Sequence, residues 1–268
     1  MPAPADVSIP QAAGQVLAAH AGGPSPLWYA TRATGVIALL LLTVTVALGV
    51  AGTARLEARA LPRIVRSGLH RNVSLLAGAF LTVHVLTAVI DPFAGIGFVS
   101  VVVPFSSSYR PLWLGLGAAA FDLVLALVIS SLIRARLPYP AWRAIHWLAY
   151  LCWPVALWHG LGTGTDSRLS WLLLVDAVCV LAVAAAACWR LQLAPRVAAR
   201  AAGMAGATAF VAATIVFVAI GPLQPGWARH AGTPGQLLGS ARAHAPAPRV
   251  GAPGGAPATH APKRADRE

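Results

Sequence analysis

Long runs of apolar residues, separated by short polar segments, dominate the pattern along the chain. The apolar runs cover about residues 27–51, 70–90, 112–133, 142–161, 169–189 and 202–220. A helix needs about 20 mainly apolar residues to cross the hydrocarbon core of a bilayer, and all six runs reach that length. The pattern therefore predicts an all-α fold, an integral membrane bundle of about six transmembrane helices.

The segments outside these runs divide the chain into three parts. Residues 1–26 lack the basic start and apolar centre of a cleaved signal peptide, and we expect an extracytoplasmic N-terminal segment. Residues 27–221 contain the apolar runs and form the predicted transmembrane domain. Residues 222–268 are rich in Ala, Pro and Gly, so they cannot bury a core and are predicted to be a disordered tail. Residues 96–103 are apolar but lie among glycine and proline, which predicts a short segment at the outer surface.

Composition supports membrane insertion and argues against other classes of protein. Hydrophobic residues make up 57% of the chain and charged residues 10%, whereas a soluble domain usually carries about a quarter charged residues. The net charge of +12 does not indicate a nucleic-acid partner, because most arginines lie in short clusters between apolar runs. The three cysteines, Cys152, Cys179 and Cys188, lack the spacing of a zinc site or a disulfide framework.

The arginines near the apolar runs are shared unequally by the two sides of the membrane. Eleven of them follow the first, third and fifth runs, whereas three, Arg32, Arg110 and Arg168, lie on the opposite side. Cytoplasmic loops are enriched in Lys and Arg, so the arginine-rich connections are predicted to be cytoplasmic. Both termini of this multi-pass protein of the cell membrane are then extracytoplasmic. The basic residues of the tail oppose this orientation only weakly, because long segments count little in the charge rule.

Four of the eight histidines lie within apolar runs and form two matched sets. His70 and His84 stand at positions i and i+14 on the second run, and His146 and His159 at positions i and i+13 on the fourth. An ionisable residue inside a membrane is costly and usually functional, although a single histidine is often only an interhelical hydrogen-bonding residue. The second and fourth helices run in the same direction, so His70 lies level with His146, and His84 with His159. The two levels are about 20 Å apart.

Each level offers two imidazoles, and low-spin haem b needs one axial ligand on each side of its iron. An i, i+14 spacing returns to within about 40° of the starting face of a helix, but an i, i+13 spacing is about 140° out of register. The fourth helix must therefore be distorted, or its haems must approach from different sides. Pro154 lies between the two histidines and predicts a kink. We interpret His70, His84, His146 and His159 as the iron ligands of two haem b groups.

The sequence around these histidines resembles the ferric reductase-like transmembrane domain family. The resemblance lies in Leu69-His70-Arg71-Asn72 with His84, in His146-Trp147 with His159-Gly160, and in the two spacings. It extends over about residues 27–192. It implies bis-histidine haem b with these four histidines as ligands, and electrons that move from a cytoplasmic donor across the membrane.

Charged residues near the histidines have more than one interpretation. Arg71 and Arg143, beside the cytoplasmic pair, are predicted to bind the cofactor by pairing with haem propionates, with lipid headgroup anchoring as the alternative. For Arg32, at the outer edge, pairing with a propionate and the absence of such pairing have equal weight. Asp91 and Asp166, which follow the histidine-bearing runs, are interpreted as solvated loop carboxylates rather than as a site for a cation or an electron acceptor.

The sequence indicates partners more clearly than it indicates a substrate. No G-x-G-x-x-G followed by an acidic residue occurs after the last run, so no flavin or nicotinamide domain is expected and the donor is predicted to be a separate flavoprotein or a quinol. The acceptor is extracytoplasmic, and the chain is either an oxidoreductase or the electron-transfer subunit of one. Two other hypotheses stay open. One is a cytochrome b subunit of a quinol-oxidising complex, although no Pro-Glu-Trp-Tyr-like motif occurs. The other is a non-redox transporter or scaffold, which predicts a colourless protein.

Overall fold

Every regular element in the described part of the chain is helical. The computed structural model describes residues 25–53, 62–91, 96–107, 109–164 and 166–227. The helices in these residues are α1 (Pro26–Thr53), α2 (Arg63–Ile90), α3 (Val99–Val102), α4 (Pro111–Leu132), the 3₁₀ turn Arg134–Arg136, α5 (Tyr139–His146), α6 (Ala149–Thr163), α7 (Ser170–Gln192) and α8 (Val197–Ile220). The predicted all-α membrane bundle is confirmed.

Five of these helices, among the residues described, are long and apolar enough to cross a membrane: α1, α2, α4, α7 and α8. The fourth predicted span is instead two helices, α5 and α6, because the chain turns at Trp147 and Leu148. Together α5 and α6 cover residues 139–163, which is long enough to cross the hydrocarbon core. We call them the broken helix.

Two helices begin earlier than the apolar pattern predicts. Helix α2 begins at Arg63, after Pro62, rather than near His70, and α8 begins at Val197 rather than near Ala202. Arginine is a good helix former, so a helix continues through residues that no longer count as apolar. The short α3 lies within the segment predicted at the outer surface, and its Val99 and Val102 are exposed.

Small residues bring the helices close together around the histidines. Helix α1 packs most extensively on α2, and α4 packs most extensively on α6. Helix α7 contacts both α1 and α8. Ala38, Ala77 and Ala118 are buried at these contacts, as expected for membrane helices whose backbones approach closely. The larger buried side chains belong mainly to the broken helix, with Trp153 and Leu157 at the centre of the core. Many large apolar side chains of α1, α2, α7 and α8 are exposed on the outside, where lipid would contact them.

The packed structure continues past the domain boundary predicted at Gly221. Pro222 is fully buried, and the Trp227 ring lies 6.0 Å from Phe217 and 6.2 Å from Trp113. The first residues of the predicted tail are therefore part of the bundle. Residues 228–268 of that tail and residues 1–24 of the N-terminal segment lie outside the described part of the chain.

Candidate functional site

The four membrane histidines meet as two pairs, each joining α2 to the broken helix. In pair A, the ring centroids of His70 and His146 are 6.4 Å apart, with an interplanar angle of 71°. In pair B, the centroids of His84 and His159 are 6.2 Å apart, with an angle of 81°. The structure thus brings together the same histidines that the sequence placed at the same level.

The spacing within each pair suits an iron ion between the two rings. Two imidazoles that bind opposite faces of one metal ion through nitrogens at about 2 Å have centroids about 6 Å apart. In the part of the chain that the structure describes, no three His, Cys, Asp or Glu side chains converge as a metal site. Each pair therefore offers two protein ligands, which is the number that porphyrin iron needs.

Backbone carbonyls of neighbouring helices orient three of the four rings. The Nδ1 atom lies 2.7 Å from the Thr31 carbonyl in His84 and 3.1 Å from the Thr45 carbonyl in His70. In His159 it lies 2.8 Å from the carbonyl of Trp113. A carbonyl only accepts, so Nδ1 of each ring carries the proton and Nε2 keeps a free lone pair. This arrangement is typical of metal-ligating histidines.

A glycine stands one helical turn after each of these carbonyls and makes room for the same ring. A Cβ atom at Gly35 would lie 2.9 Å from Cε1 of His84, and one at Gly49 would lie 3.4 Å from Cε1 of His70. A Cβ atom at Gly117 would overlap the ring of His159. Sequence reasoning missed these glycines. The signal was present, because the two on α1 have the same i, i+14 spacing as His70 and His84.

His146 is held differently from the other three histidines. Its Nδ1 atom is buried and has no hydrogen-bond partner among the described residues. Its ring stacks on Trp142, with centroids 4.9 Å apart and an interplanar angle of 20°. The guanidinium of Arg134 lies over the ring of Trp142, 4.4 Å from the centroid of that ring.

The carbonyl and glycine that hold His159 are not repeated one i+14 step along α4. Leu127 stands at position i+14 from Trp113, where a second anchoring carbonyl would be equivalent, but its carbonyl accepts a hydrogen bond from the Ser130 hydroxyl at 3.1 Å. Ser131 stands at position i+14 from Gly117, where a glycine would complete the pattern. Helix α4 thus provides one set of a carbonyl and a glycine that accommodates a histidine ring, whereas α1 provides two such sets.

The break in the fourth span reduces the mismatch that the i, i+13 spacing creates. Leu148 donates its N–H to Ile145, and Leu151 donates to Leu148, in bonds of the 3₁₀ type at 2.9 and 3.0 Å. A 3₁₀ step turns about 120° instead of 100°, so about four such steps recover roughly 80° of the 140° mismatch. The expected distortion therefore lies before Pro154. It is within one helical turn of the backbone carbonyl that would accept a hydrogen bond from residue 154 if that residue had an N–H.

The arginines predicted to bind the cofactor lie on the surface. Arg71 on α2 and Arg143 on α5 are exposed, and Arg143 lines a surface groove with Tyr139, Ala144 and Trp147. Such positions suit contacts with lipid headgroups. Their pairing with haem propionates stays a prediction.

The end of the bundle beside pair B carries a second group of charged residues. Arg32 forms an ion pair with Asp166 at 2.8 Å and lies over the ring of Trp28 at 3.9 Å. Asp91 is buried and accepts a hydrogen bond from the Ser25 hydroxyl at 2.9 Å. The interpretation as a solvated loop carboxylate is therefore wrong for Asp91, which is buried at the end of α2, whereas Asp166 is a partly exposed loop carboxylate that pairs with Arg32.

Arg110 braces this end of the bundle from a left-handed backbone conformation with φ of 40°. Its guanidinium donates to the carbonyls of Gly162 and Trp227 and lies 4.9 Å from the Trp227 ring centroid. It thereby joins the start of α4, the end of α6 and the chain after α8. Arg110 was predicted only as a loop arginine, and no local sequence signal reveals this role.

The fold and the paired histidines define a class, a multi-helix membrane protein with two histidine pairs between its helices. Residues 34–157 match the family model of the ferric reductase like transmembrane component. The matched segment contains His70, His84 and His146, and His159 lies just beyond its end. The resemblance is confirmed over this matched segment, which is a little under half of the chain. Comparisons with curated proteins and with solved structures found no match.

The family supports a general role for the protein. Ferric reductase-like transmembrane domains generally bind haem and take part in membrane electron transfer or oxidoreduction. Five helices among the described residues are long and apolar enough to cross a membrane, and the family match indicates a membrane electron-transfer or oxidoreductase role, which in general involves redox partners.

Proposed function

We propose that the chain is a transmembrane electron carrier that holds one haem b at each histidine pair. It moves electrons from a donor on the cytoplasmic side, through pair A and then pair B, to an extracytoplasmic acceptor. The observation that carries the proposal is the orientation of the rings. Three histidines donate Nδ1–H to backbone carbonyls, and each Nε2 is left available at a ring spacing that suits an iron ion.

The residues of the bundle would divide the work as follows. The carbonyls of Thr31, Thr45 and Trp113 fix the tautomer of their histidines and raise their basicity as ligands. Gly35 and Gly117 leave the space that the rings occupy. Haem iron, when bound, supplies a centre that exchanges one electron. The levels of the two pairs, about 20 Å apart along α2, divide the crossing into shorter transfers.

The direction of transfer follows from the arginine distribution. Pair A lies near the start of α2 and the end of α5, beside the arginine-rich connections, which we assign to the cytoplasm. Pair B then lies near the extracytoplasmic surface, and both termini are extracytoplasmic. A separate flavoprotein or a quinol is the proposed donor. Arg71 and Arg143 are proposed to pair with the propionates at the cytoplasmic level.

A set of histidine variants tests the pairing and the cofactor together. The purified protein is expected to show a haem b reduced-minus-oxidised spectrum with two haems per chain. His84→Ala and His159→Ala should each lose the same haem, so the double variant His84→Ala/His159→Ala should still hold one. His84→Ala/His146→Ala should hold none, because it removes a ligand from each pair. His20→Ala, outside the membrane runs, is the control.

The outcomes separate the hypotheses. A colourless protein, expressed with ample haem, would overturn the proposal and favour the non-redox transporter or scaffold. Loss of one haem in His84→Ala/His146→Ala would show that the pairs are wrongly assigned. The direction is tested with an epitope placed after Glu268. An antibody should reach it on intact cells, and access only after permeabilisation would reverse the assignment of the two sides.

A further inference from the structure

The two histidine pairs differ in how firmly their rings are held. Both histidines of pair B donate Nδ1–H to backbone carbonyls, at 2.7 and 2.8 Å. In pair A only His70 does so, at 3.1 Å, and Nδ1 of His146 has no partner among the described residues. A hydrogen-bond partner of this kind fixes the ring and raises its basicity, and its loss typically costs about 10–100-fold in metal affinity.

The backbone at His146 also differs from that at the other three histidines. His146 is the last residue of α5, and the chain turns at Trp147 and Leu148 directly after it. His70, His84 and His159 each lie inside a continuous helix. A ring at a helix end beside a break moves with less disruption of backbone hydrogen bonds than a ring in a helix interior.

One stacked contact replaces the missing hydrogen bond. The ring of Trp142 lies nearly parallel to that of His146, at 4.9 Å between centroids, one helical turn earlier on α5. Trp142 is itself without a hydrogen-bond partner for its buried Nε1 among the described residues. Stacking of this kind contributes about 0.5–1.5 kcal/mol and provides no acceptor for the Nδ1–H of the ring. Trp142 is thus a positioning residue for His146.

We propose that pair A, with haem bound there, is an exchangeable site for small neutral ligands of ferrous iron, of which carbon monoxide is the probe. This inference rests on the proposed function, since it requires haem at both pairs. The exchange breaks the bond between iron and Nε2 of His146 and forms a bond to the carbon of the ligand. The iron stays ferrous, and no electron or proton is transferred. Pair B, with both rings anchored, stays closed to the same ligand.

Carbon monoxide binding to the full chain, reduced with dithionite, measures the exchange. The wild type should bind one carbon monoxide per two haems. The variant His84→Ala/His159→Ala, which keeps only pair A, should bind one per haem, and His70→Ala/His146→Ala, which keeps only pair B, should bind none. Two haems per chain without any carbon monoxide binding would overturn this inference and leave the proposed function intact. A protein without haem would overturn the proposed function itself.

Substitutions of Trp142 test its part in the exchange. Trp142→Leu removes the stacked ring and should raise the carbon monoxide affinity about tenfold, the lower end of the usual effect of such supports. Trp142→Phe keeps a ring and should stay within a few-fold of the wild type. Trp147→Leu, at the exposed neighbouring tryptophan, is the matched control. Equal affinities in Trp142→Leu and Trp147→Leu would exclude the positioning role. If Trp142→Leu loses one haem outright, the Trp142→Phe result and the pair-deletion variants still decide the question.

Discussion

A Cβ atom added to Gly35 would lie 2.9 Å from Cε1 of His84, closer than side chains normally approach each other. One turn earlier on the same helix, the Thr31 carbonyl accepts the Nδ1–H of that ring at 2.7 Å. Helix α1 therefore limits the ring from one side and holds it from the other. The same arrangement recurs at Gly49 and Thr45 for His70. A helix without a ligand of its own thus determines where both histidines of α2 point.

Gly35→Val is expected to abolish haem binding at pair B, because the added side chain would occupy the space of the His84 ring. The haem content, measured as the pyridine haemochrome per chain, should fall from two to one. Gly206→Val on α8 is the control, since no atom lies within 4 Å of a Cβ at that glycine. Valine replaces glycine in a helix in both variants, so equal haem losses would point to the helix rather than to the ring.

Thr43→Val is expected to destabilise the bundle by about 1 kcal/mol, because it leaves a buried donor without its acceptor. The Trp153 indole N–H donates to the Thr43 hydroxyl at 2.8 Å, and both side chains are buried. Thr43→Ser keeps the hydroxyl and should cost less. Thermal unfolding in detergent measures the difference. Thr82→Val removes an exposed hydroxyl that bonds only within its own helix, and it should leave Tm nearly unchanged.

Arg110→Gly is expected to lower the stability by about 2 kcal/mol, because the carbonyls of Gly162 and Trp227 lose a charged donor. Glycine adopts a positive φ without strain, so this substitution removes the guanidinium without penalising the backbone. A lower Tm in detergent is the expected readout. Arg168→Gly, at an exposed position on the same side, should change Tm little. Equal effects of the two substitutions would contradict the bracing role.

Tyr109 makes the stability depend on alkaline pH. Burial raises the pKa of Tyr109 above its usual value, and this cause outweighs the opposing influence of Arg110 and Arg32. Above about pH 10 the unfolded chain loses the phenol proton while the folded chain keeps it, so the stability falls as the pH rises. The Tm of the Tyr109→Phe variant should therefore fall less than the Tm of the wild type as the pH rises from about 9 to 11. The exposed Tyr29, changed to Phe, is the control and should behave as the wild type does.

Much of the architecture was predictable because it depends on local composition. The apolar runs located all the spanning helices, and the spacings of the histidines predicted which rings meet. The break after His146 was only partly predictable. The i, i+13 spacing required a distortion, and the proline suggested where, but the turn lies at Trp147 and Leu148. The short-range hydrogen bonds form at residues 147–151 rather than beside Pro154, and no local sequence signal locates them there.

The sequence by itself determined the membrane class, the positions of the long apolar helices and the four histidines as the candidate site. These depend on hydrophobic length and on the cost of ionisable groups in lipid, which each residue carries wherever it lies. Only the tertiary structure decided which side chains and carbonyls support those histidines. Three features arise where separate helices touch. They are the spaces for histidine rings at Gly35, Gly49 and Gly117, the unanchored ring of His146 and the contacts of Arg110. A backbone carbonyl has no residue identity, so its contact with a ring emerges only when the helices are packed.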